Sequence, residues 1–410
     1  MTDSPAPDAP RSPLRILIGA DTFAPDINGA ARFAERLAAG LVQRGHDVHV
    51  VAPNRRYADE PNRTETIEGE AMTLHRLPSV RLWWHEWLRF VWPWRAKHHA
   101  RRVLDRVKPD VVHIQSHIVI GRGLAREARK RGIRVVATNH VMPENILDHT
   151  ALPDWANDLF VKLAWKDAAR TFRLASAVTT PTRRAADFLE SAIDMPGVIP
   201  ISCGIDRTQY SADLEPRAEN RIVFVGRMTA EKQVDVILRA LAKLDPALDA
   251  KLDLVGQGDQ EHALQALAAE LGVQDRVTFH GLSTDAHLRA TLTRGSVFAI
   301  ASIAELQSIA TMEAMASGLP IVAANAVALP HLVHEGENGY LFEPGDADDL
   351  AAKLTTVLTA SPEERLRLQR ASLEGVLVHD INRTLDTFEA LYRGAAPHVL
   401  LDRRGEAQPA

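Results

Sequence analysis

The chain has 410 residues, 46% of them hydrophobic and 25% charged, with a formal net charge of −5. That length exceeds what one hydrophobic core usually organises, so two domains are the default, and the acidic balance gives no whole-protein reason to expect a nucleic-acid partner. The sole cysteine, Cys203, excludes an intrachain disulfide, the 17 histidines are scattered without metal-ligand spacing, and no signal-like apolar segment opens the chain, which sets a cytoplasmic location as the expectation.

Residues 1–13 carry four prolines and few apolar side chains and are expected to be a disordered leader. The apolar run 14–20 predicts a strand, and Thr22-Phe-Ala-Pro25-Asp-Ile-Asn28-Gly29-Ala-Ala-Arg32 after it predicts a tight turn into a helix. Arg44-Gly45-His46-Asp47-Val48 leads into a second strand at 47–53. Residues 81–102 then hold five of the seven tryptophans, Trp83, Trp84, Trp87, Trp92 and Trp94, followed by basic side chains. The segment is too short and too charged to span a bilayer, which takes roughly 20 mostly apolar residues. It suits the interface, where each nearby Lys or Arg adds about 1 kcal/mol against an anionic surface. Read as a helix, its apolar positions 83, 84, 87, 88, 90 and 91 cover a broad arc that Pro93 interrupts; the competing reading places these rings in the first-domain core.

Further strands are expected at 110–115, 134–139 and 176–180. His140, at the end of its strand and followed by Glu144, is a candidate for hydrogen bonding a hexose hydroxyl, and His117 is a looser one. Pro196 and Pro200 flank a short apolar stretch that marks a domain junction.

The second half repeats the rhythm with strands at 221–226, 251–256, 276–281, 296–302 and 320–324, so parallel sheets covered by helices are expected. Gly226 permits a turn, and Arg227 and Lys232 at the entrance to a helix are placed to neutralise a pyrophosphate. Val255-Gly256-Gln257-Gly258-Asp259 lacks the third glycine of a dinucleotide fingerprint but suits a base and ribose pocket. Glu305, in a strand-to-helix loop with Leu306, Gln307, Ser308 and Ile309, precedes Glu313 on a helix at 308–317 that Gly318 and Pro320 end. A helix N-terminus between two carboxylates suits a diphosphate carrying a hydroxylated sugar. Past Pro362 the pattern is helical and charged, ending in a helix at 381–392 and a loose tail from 396.

These motifs, with Ile199-Pro-Ile-Ser-Cys203-Gly204-Ile-Asp206, Ala314-Met-Ala-Ser-Gly-Leu-Pro320 and Glu335-Gly-Glu-Asn-Gly-Tyr-Leu-Phe342, run over nearly the whole chain. Together they resemble the retaining glycosyltransferases of family 4, and around Pro25 and Asn28-Gly29 they are similar to lipid-directed members such as diacylglycerol glucosyltransferases and phosphatidylinositol mannoside mannosyltransferases. The resemblance implies an α/β GT-B fold, two Rossmann-like doubly wound domains facing a central cleft. The domains would be an acceptor-side domain at 14–198, a nucleotide-sugar domain at 199–380, a return helix at 381–395 and a tail at 396–410. It implies His140, Glu305, Arg227 and Lys232 as catalytic, and Gly29, Gly226, Gly256, Leu306, Gln307, Ser308, Ile309 and Glu313 beside the donor, with Glu313 on the ribose and Glu305 on the hexose. No metal or cofactor is required, because cations and helix N–H groups meet the charge that develops on a departing nucleoside diphosphate. Many relatives have Gly-Phe or Pro-Phe after the first glutamate where this chain has Leu306-Gln307. The donor expected is UDP-glucose, with GDP-mannose the alternative. The acceptor expected is a membrane lipid, reached through residues 81–102 by a protein peripheral on the inner face of the plasma membrane; a soluble acceptor, or a silent sugar-nucleotide-binding module, are the rival readings. Oligomeric state is left open.

Overall fold

The computed structural model describes residues 12–26, 28–54, 62–81, 89–141, 154–217 and 219–396. The chain divides into two compact units: 1–179 with 193–197 and 389–397, and 180–192 with 198–388 and the final residues.

In the first unit the strands are β1 (Arg15–Gly19), β2 (Asp47–Pro53), β3 (Arg63–Ile67), β4 (Glu70–Leu77), the short pair β5 (Val80–Arg81) and β6 (Arg89–Phe90), β7 (Val111–Ile114), β8 (Arg134–Thr138) and β9 (Ala177–Thr180). The main sheet runs β9-β8-β7-β1-β2-β4-β3, parallel except that β3 returns antiparallel on β4. Runs such as Ile16-Leu17-Ile18, all fully buried, read as continuous apolar strands because helices cover both faces of a parallel sheet. The helices are α1 (Gly29–Gln43), α2 (Pro93–Val107), α3 (Val119–Lys130) and α4 (Asp154–Phe172). The strand β1 pairs with β2 on one side and β7 on the other, so the order reverses there and the loops after β1 and β7 flank a topological switch point.

The second unit holds α5 (Arg183–Ile193), β10 (Ile199–Pro200), β11 (Arg221–Val225), α6 (Val234–Lys243), β12 (Lys251–Val255), α7 (Glu261–Glu270), β13 (Val277–Gly281), α8 (Asp285–Arg294), β14 (Val297–Ile300), α9 (Ile309–Ala316), β15 (Ile321–Ala324), β16 (Gly339–Phe342), α10 (Ala347–Leu358), α11 (Pro362–Gly375) and most of α12 (Ile381–Tyr392). Its six-stranded sheet, β13-β12-β11-β14-β15-β16, is parallel throughout and reverses between β11 and β14.

The tryptophan segment departs from expectation. Arg89–Phe90 is a strand paired antiparallel with Val80–Arg81, not part of a helix, and Pro93 opens α2 instead of interrupting one. Proline is well placed at the first helical position, where its missing N–H has no intrahelical partner and its fixed φ is already helical. Trp83, Trp84 and Trp87 lie outside the described residues, as do Glu144, nearly all of the leader and the tail from 397.

Candidate active site

The loops at the carboxyl edge of the second sheet gather most of the expected residues. After β11, Gly226 leads into Arg227 and a single 3-10 turn, Ala230–Lys232, before α6. After β14 comes the loop with Glu305, then α9, whose N-cap Ser308 accepts the Thr311 N–H at 3.2 Å and its hydroxyl at 2.8 Å. The two loops meet. Lys232 Nζ lies 2.5 Å from Glu305 Oε1, with both side chains only 14% exposed, and the Ile303 N–H donates to the Glu231 carbonyl at 3.0 Å. Arg227 pairs with Glu231 at 3.4 Å. Burial works to raise the Glu231 pKa, but the Thr229 hydroxyl, the residue's own N–H and the cations Arg227 and Lys232 outweigh it, and the net shift is downward.

Glu313 lies on α9 and is buried, and the Tyr210 hydroxyl donates to its Oε1 at 3.0 Å. Sequence reading missed Tyr210, which sits 103 positions away and is brought in by the segment after the 3-10 turn Arg207–Gln209.

The glycines after β12 have a local purpose. A Cβ on Gly256, whose φ is +132°, would lie 2.0 Å from the Gly226 carbonyl oxygen, and one on Gly258 would lie 2.0 Å from that of Met228. The two loops therefore touch backbone to backbone, tied by the Gly226 N–H to Val255 and the Met228 N–H to Gln257. Gly256 thus lets the loop after β12 pass against the backbone of Gly226, the residue before Arg227.

Gln307 turns away from solvent. Its Oε1 accepts the Cys203 N–H at 2.7 Å and the Ser202 hydroxyl at 3.2 Å, while the Thr182 hydroxyl donates to the Leu306 carbonyl at 3.1 Å. Ser202 also meets His379 Nδ1 at 3.0 Å, and its carbonyl accepts from Thr384 at 2.9 Å. Leu306 thus ties the glutamate loop to Thr182, and Gln307 ties it to the 202–203 segment.

His140 and Gly29 belong to the first unit. Asn28 caps α1, its side chain accepting the Ala31 N–H at 2.9 Å, and a Cβ on Gly29 would meet nothing within 4 Å. His140 Nε2 lies 3.0 Å from Gln115 Oε1 and its ring tilts on Phe33 at 4.8 Å. Burial pushes its pKa down to about 3, so the ring is neutral near pH 7. Beneath it, buried His113 bridges Tyr392 Oη and Thr138 Oγ1, each at 2.7 Å. His117 is buried against Phe172 and Trp165, as a core histidine would be. Across the first switch point, Asp21 accepts the Ser116 hydroxyl and, at 3.0 Å, the Ile120 N–H, and burial raises its pKa.

Among the described residues no group of three His, Cys, Asp or Glu is arranged to hold a metal.

Comparison with known proteins places the chain in a family. Residues 27–209 match the family described as Glycosyltransferase Family 4, and residues 206–374 that described as Glycosyl transferases group 1. The chain is 31% identical over 371 residues to the MMP alpha-(1->4)-mannosyltransferase of Mycolicibacterium hassiacum, covering 83% of this chain and 88% of that one. It is 25% identical to a GDP-mannose-dependent alpha-mannosyltransferase of Mycobacterium tuberculosis, covering 89% and 92%. In fold it is similar to sucrose-phosphate synthase of Thermosynechococcus elongatus, with a TM-score of 0.75 at 19% identity over 92% of this chain and 98% of that one. Anabaena HepE in complex with UDP-glucose gives a TM-score of 0.70 at 17% identity over the same shares, 92% and 98%. The chain belongs to glycosyltransferase family 4 and has the GT-B fold of two Rossmann-like domains. It is a glycosyltransferase that takes its sugar from a sugar nucleotide.

Proposed function

We propose that the chain is a retaining hexosyltransferase that moves a hexose from a nucleoside-diphosphate sugar to a membrane lipid. The observation that carries the donor half is the Lys232–Glu305 pair beside Arg227, at the reversal point of a parallel sheet and ahead of a helix N-terminus. Lys232, Arg227 and the α9 amides meet the charge that grows on the leaving diphosphate, Glu305 accepts from hexose hydroxyls and Glu313 from the ribose. Departure and attack on the same face of the sugar need no enzymic nucleophile. His140, neutral, serves as a hydroxyl-binding group of the first unit. Similarity to relatives named for mannose transfer supports GDP-mannose over UDP-glucose as donor.

The lipid half rests on α2. Trp94 is 70% exposed and stacks on Trp92 at 4.6 Å, and Arg95, Lys97, His98, Arg101 and Arg102 are exposed behind them. An aromatic pair followed by cations suits adsorption to an anionic bilayer by a peripheral protein on the inner membrane face. Among the described residues no helix is long and apolar enough to cross a membrane. A soluble acceptor is the second reading, favoured by similarity to the D-inositol 3-phosphate glycosyltransferase of Mycolicibacterium vanbaalenii, 35% identical over 206 residues. Sedimentation with phosphatidylglycerol vesicles separates the two: Trp92→Ser with Trp94→Ser weakens binding if the acceptor is membrane-borne, and unchanged sedimentation contradicts that reading.

A further inference from the structure

Three of the ten large hydrophobic side chains that stand exposed among the described residues fall close together on α4: Leu159 at 50%, Phe160 at 43% and Leu163 at 57%. Single exposed apolar residues are ordinary on a surface, but a cluster marks a contact surface. The helix packs by its other side. Trp165, Ala168, Ala169 and Phe172 are buried, Trp165 lies against His117, and Asp167 pairs with Arg122 of α3 at 2.6 Å. Positions 159, 163, 166 and 170 follow one another at helical spacing, so Leu159, Leu163, Lys166 and Arg170 form one exposed stripe opposite the buried side. The stripe is apolar in the N-terminal half of the helix and cationic in the C-terminal half.

The fold fixes where each half lies. α4 leads into the start of β9, so its C-terminal end is at the amino edge of the first sheet. Trp165 already touches His117, which follows β7 at the carboxyl edge. With a rise of about 1.5 Å per residue, Leu163, Phe160 and Leu159 project successively past that edge, the one on which His140 follows β8. Positive charge continues onto α3, which touches both α4 and α2 and exposes Arg126 and Arg129, although the whole chain carries a net charge of −5. Asp167 is the one acidic side chain in the described part of α4, and it is already paired. An apolar tip backed by cations fits a lipid surface whose headgroups are anionic.

We propose that the N-terminal half of α4 enters an anionic bilayer obliquely, with Leu159, Phe160 and Leu163 at the acyl boundary and Lys162, Lys166 and Arg170 among the headgroups. On the lipid reading of the acceptor, on which this rests, α2 supplies adsorption and α4 supplies orientation. The tilt turns the carboxyl edge of the first sheet, with His140, toward the lipid.

Sedimentation of the full chain with vesicles of phosphatidylcholine, with and without phosphatidylglycerol, tests this. The parent chain binds the anionic vesicles, and Leu159→Ser with Leu163→Ser weakens binding about tenfold or more. Lys166→Glu with Arg170→Glu weakens it by a similar factor at low salt. All four side chains are exposed, so both variants fold, which an unchanged thermal midpoint checks. An environment-sensitive fluorophore on Leu163→Cys shifts to the blue on anionic vesicles, with the parent chain and its buried Cys203 as the labelling control. If Trp92→Ser with Trp94→Ser weakens sedimentation while the α4 variants bind as the parent does, the proposal falls and the lipid reading stands. A parent chain that binds no vesicle overturns both. A dimer in solution that Leu159→Ser with Leu163→Ser dissolves shows that a second copy covers the stripe, and also overturns the proposal.

Discussion

Lys232 Nζ and Glu305 Oε1, 73 positions apart in sequence, form a 2.5 Å ion pair between the loops that follow two neighbouring parallel strands. Each half-buried charge is compensated by the other, and in the proposed function each addresses a different part of a sugar nucleotide. Lys232→Ala therefore leaves the Glu305 carboxylate without this cation in the loop proposed to meet the diphosphate. Turnover falls at least about a hundredfold and nucleotide affinity falls with it, whereas Glu305→Ala costs turnover with a smaller effect on nucleotide affinity. Steady-state rates paired with nucleotide titrations check the split.

Tyr210 and Glu313 give a second test. Glu313→Ala removes a charged acceptor, worth about 1.5–3 kcal/mol, and weakens nucleoside diphosphate binding roughly tenfold to a hundredfold. Tyr210→Phe removes one hydrogen bond to the carboxylate without removing the carboxylate and weakens binding a few-fold. Inorganic pyrophosphate, which has no ribose, binds both variants as it binds the parent chain.

The Gln307 contact predicts a stability effect. Gln307→Leu leaves the buried Cys203 N–H without its 2.7 Å acceptor, at a cost of about 1–3 kcal/mol. Denaturant unfolding monitored on the second unit measures it, and an unchanged midpoint contradicts the assignment.

Gly256→Ala places a Cβ 2.0 Å from the Gly226 carbonyl oxygen at a φ of +132°. The loop carrying Arg227 must shift, with a loss of about 2 kcal/mol or more and weaker donor binding in the same variant.

The first unit has a pH signature. Burial lowers the pKa of His113 and His140 to about 3 and of His75 and His117 to about 4, and raises that of Glu35 to about 7. An imidazole with a depressed folded pKa contributes stability above its unfolded value, about 6.5, that is lost as pH falls toward the folded value. Glu35 has the opposite sign, losing stability as pH rises from its unfolded value toward 7. Asp21, also raised by burial, shares that sign; the four imidazoles outweigh the two carboxyls, so stability falls as pH drops from 6.5 to 4.5. His117→Leu flattens the slope by up to about 1.4 kcal/mol per pH unit, measured by urea unfolding across that range.

Much of this was legible in the sequence. Ser308 ahead of an apolar run announced a helix start, and Glu305 and Glu313 fell on either side of it because strand, cap and helix are all local signals. Pro25 and Asn28 marked the entry to α1 in the same way. What stayed hidden depends on distant partners: Tyr210 on Glu313, Gln307 on Cys203, and His113 between Thr138 and Tyr392. The close approach of Gly256 and Gly258 to the Gly226 and Met228 backbone is hidden too, because a sequence does not show which backbone passes overhead. Pro93 was misread for a related reason, since a proline that breaks one helix and one that begins the next look alike until the pairing of 80–81 with 89–90 is seen.

The central claim is hexosyl transfer at the Lys232–Glu305 edge. The most direct measurement incubates the purified chain with GDP-mannose, UDP-glucose and other nucleoside-diphosphate hexoses, with and without vesicles of diacylglycerol and phosphatidylglycerol. Nucleotide release and the anomeric configuration of any product are followed by mass spectrometry and NMR. Release with an α-linked product from the α-linked donor, lost in Glu305→Ala and Lys232→Ala, is the predicted result. Turnover that survives in both variants, or a product of inverted configuration, contradicts the account.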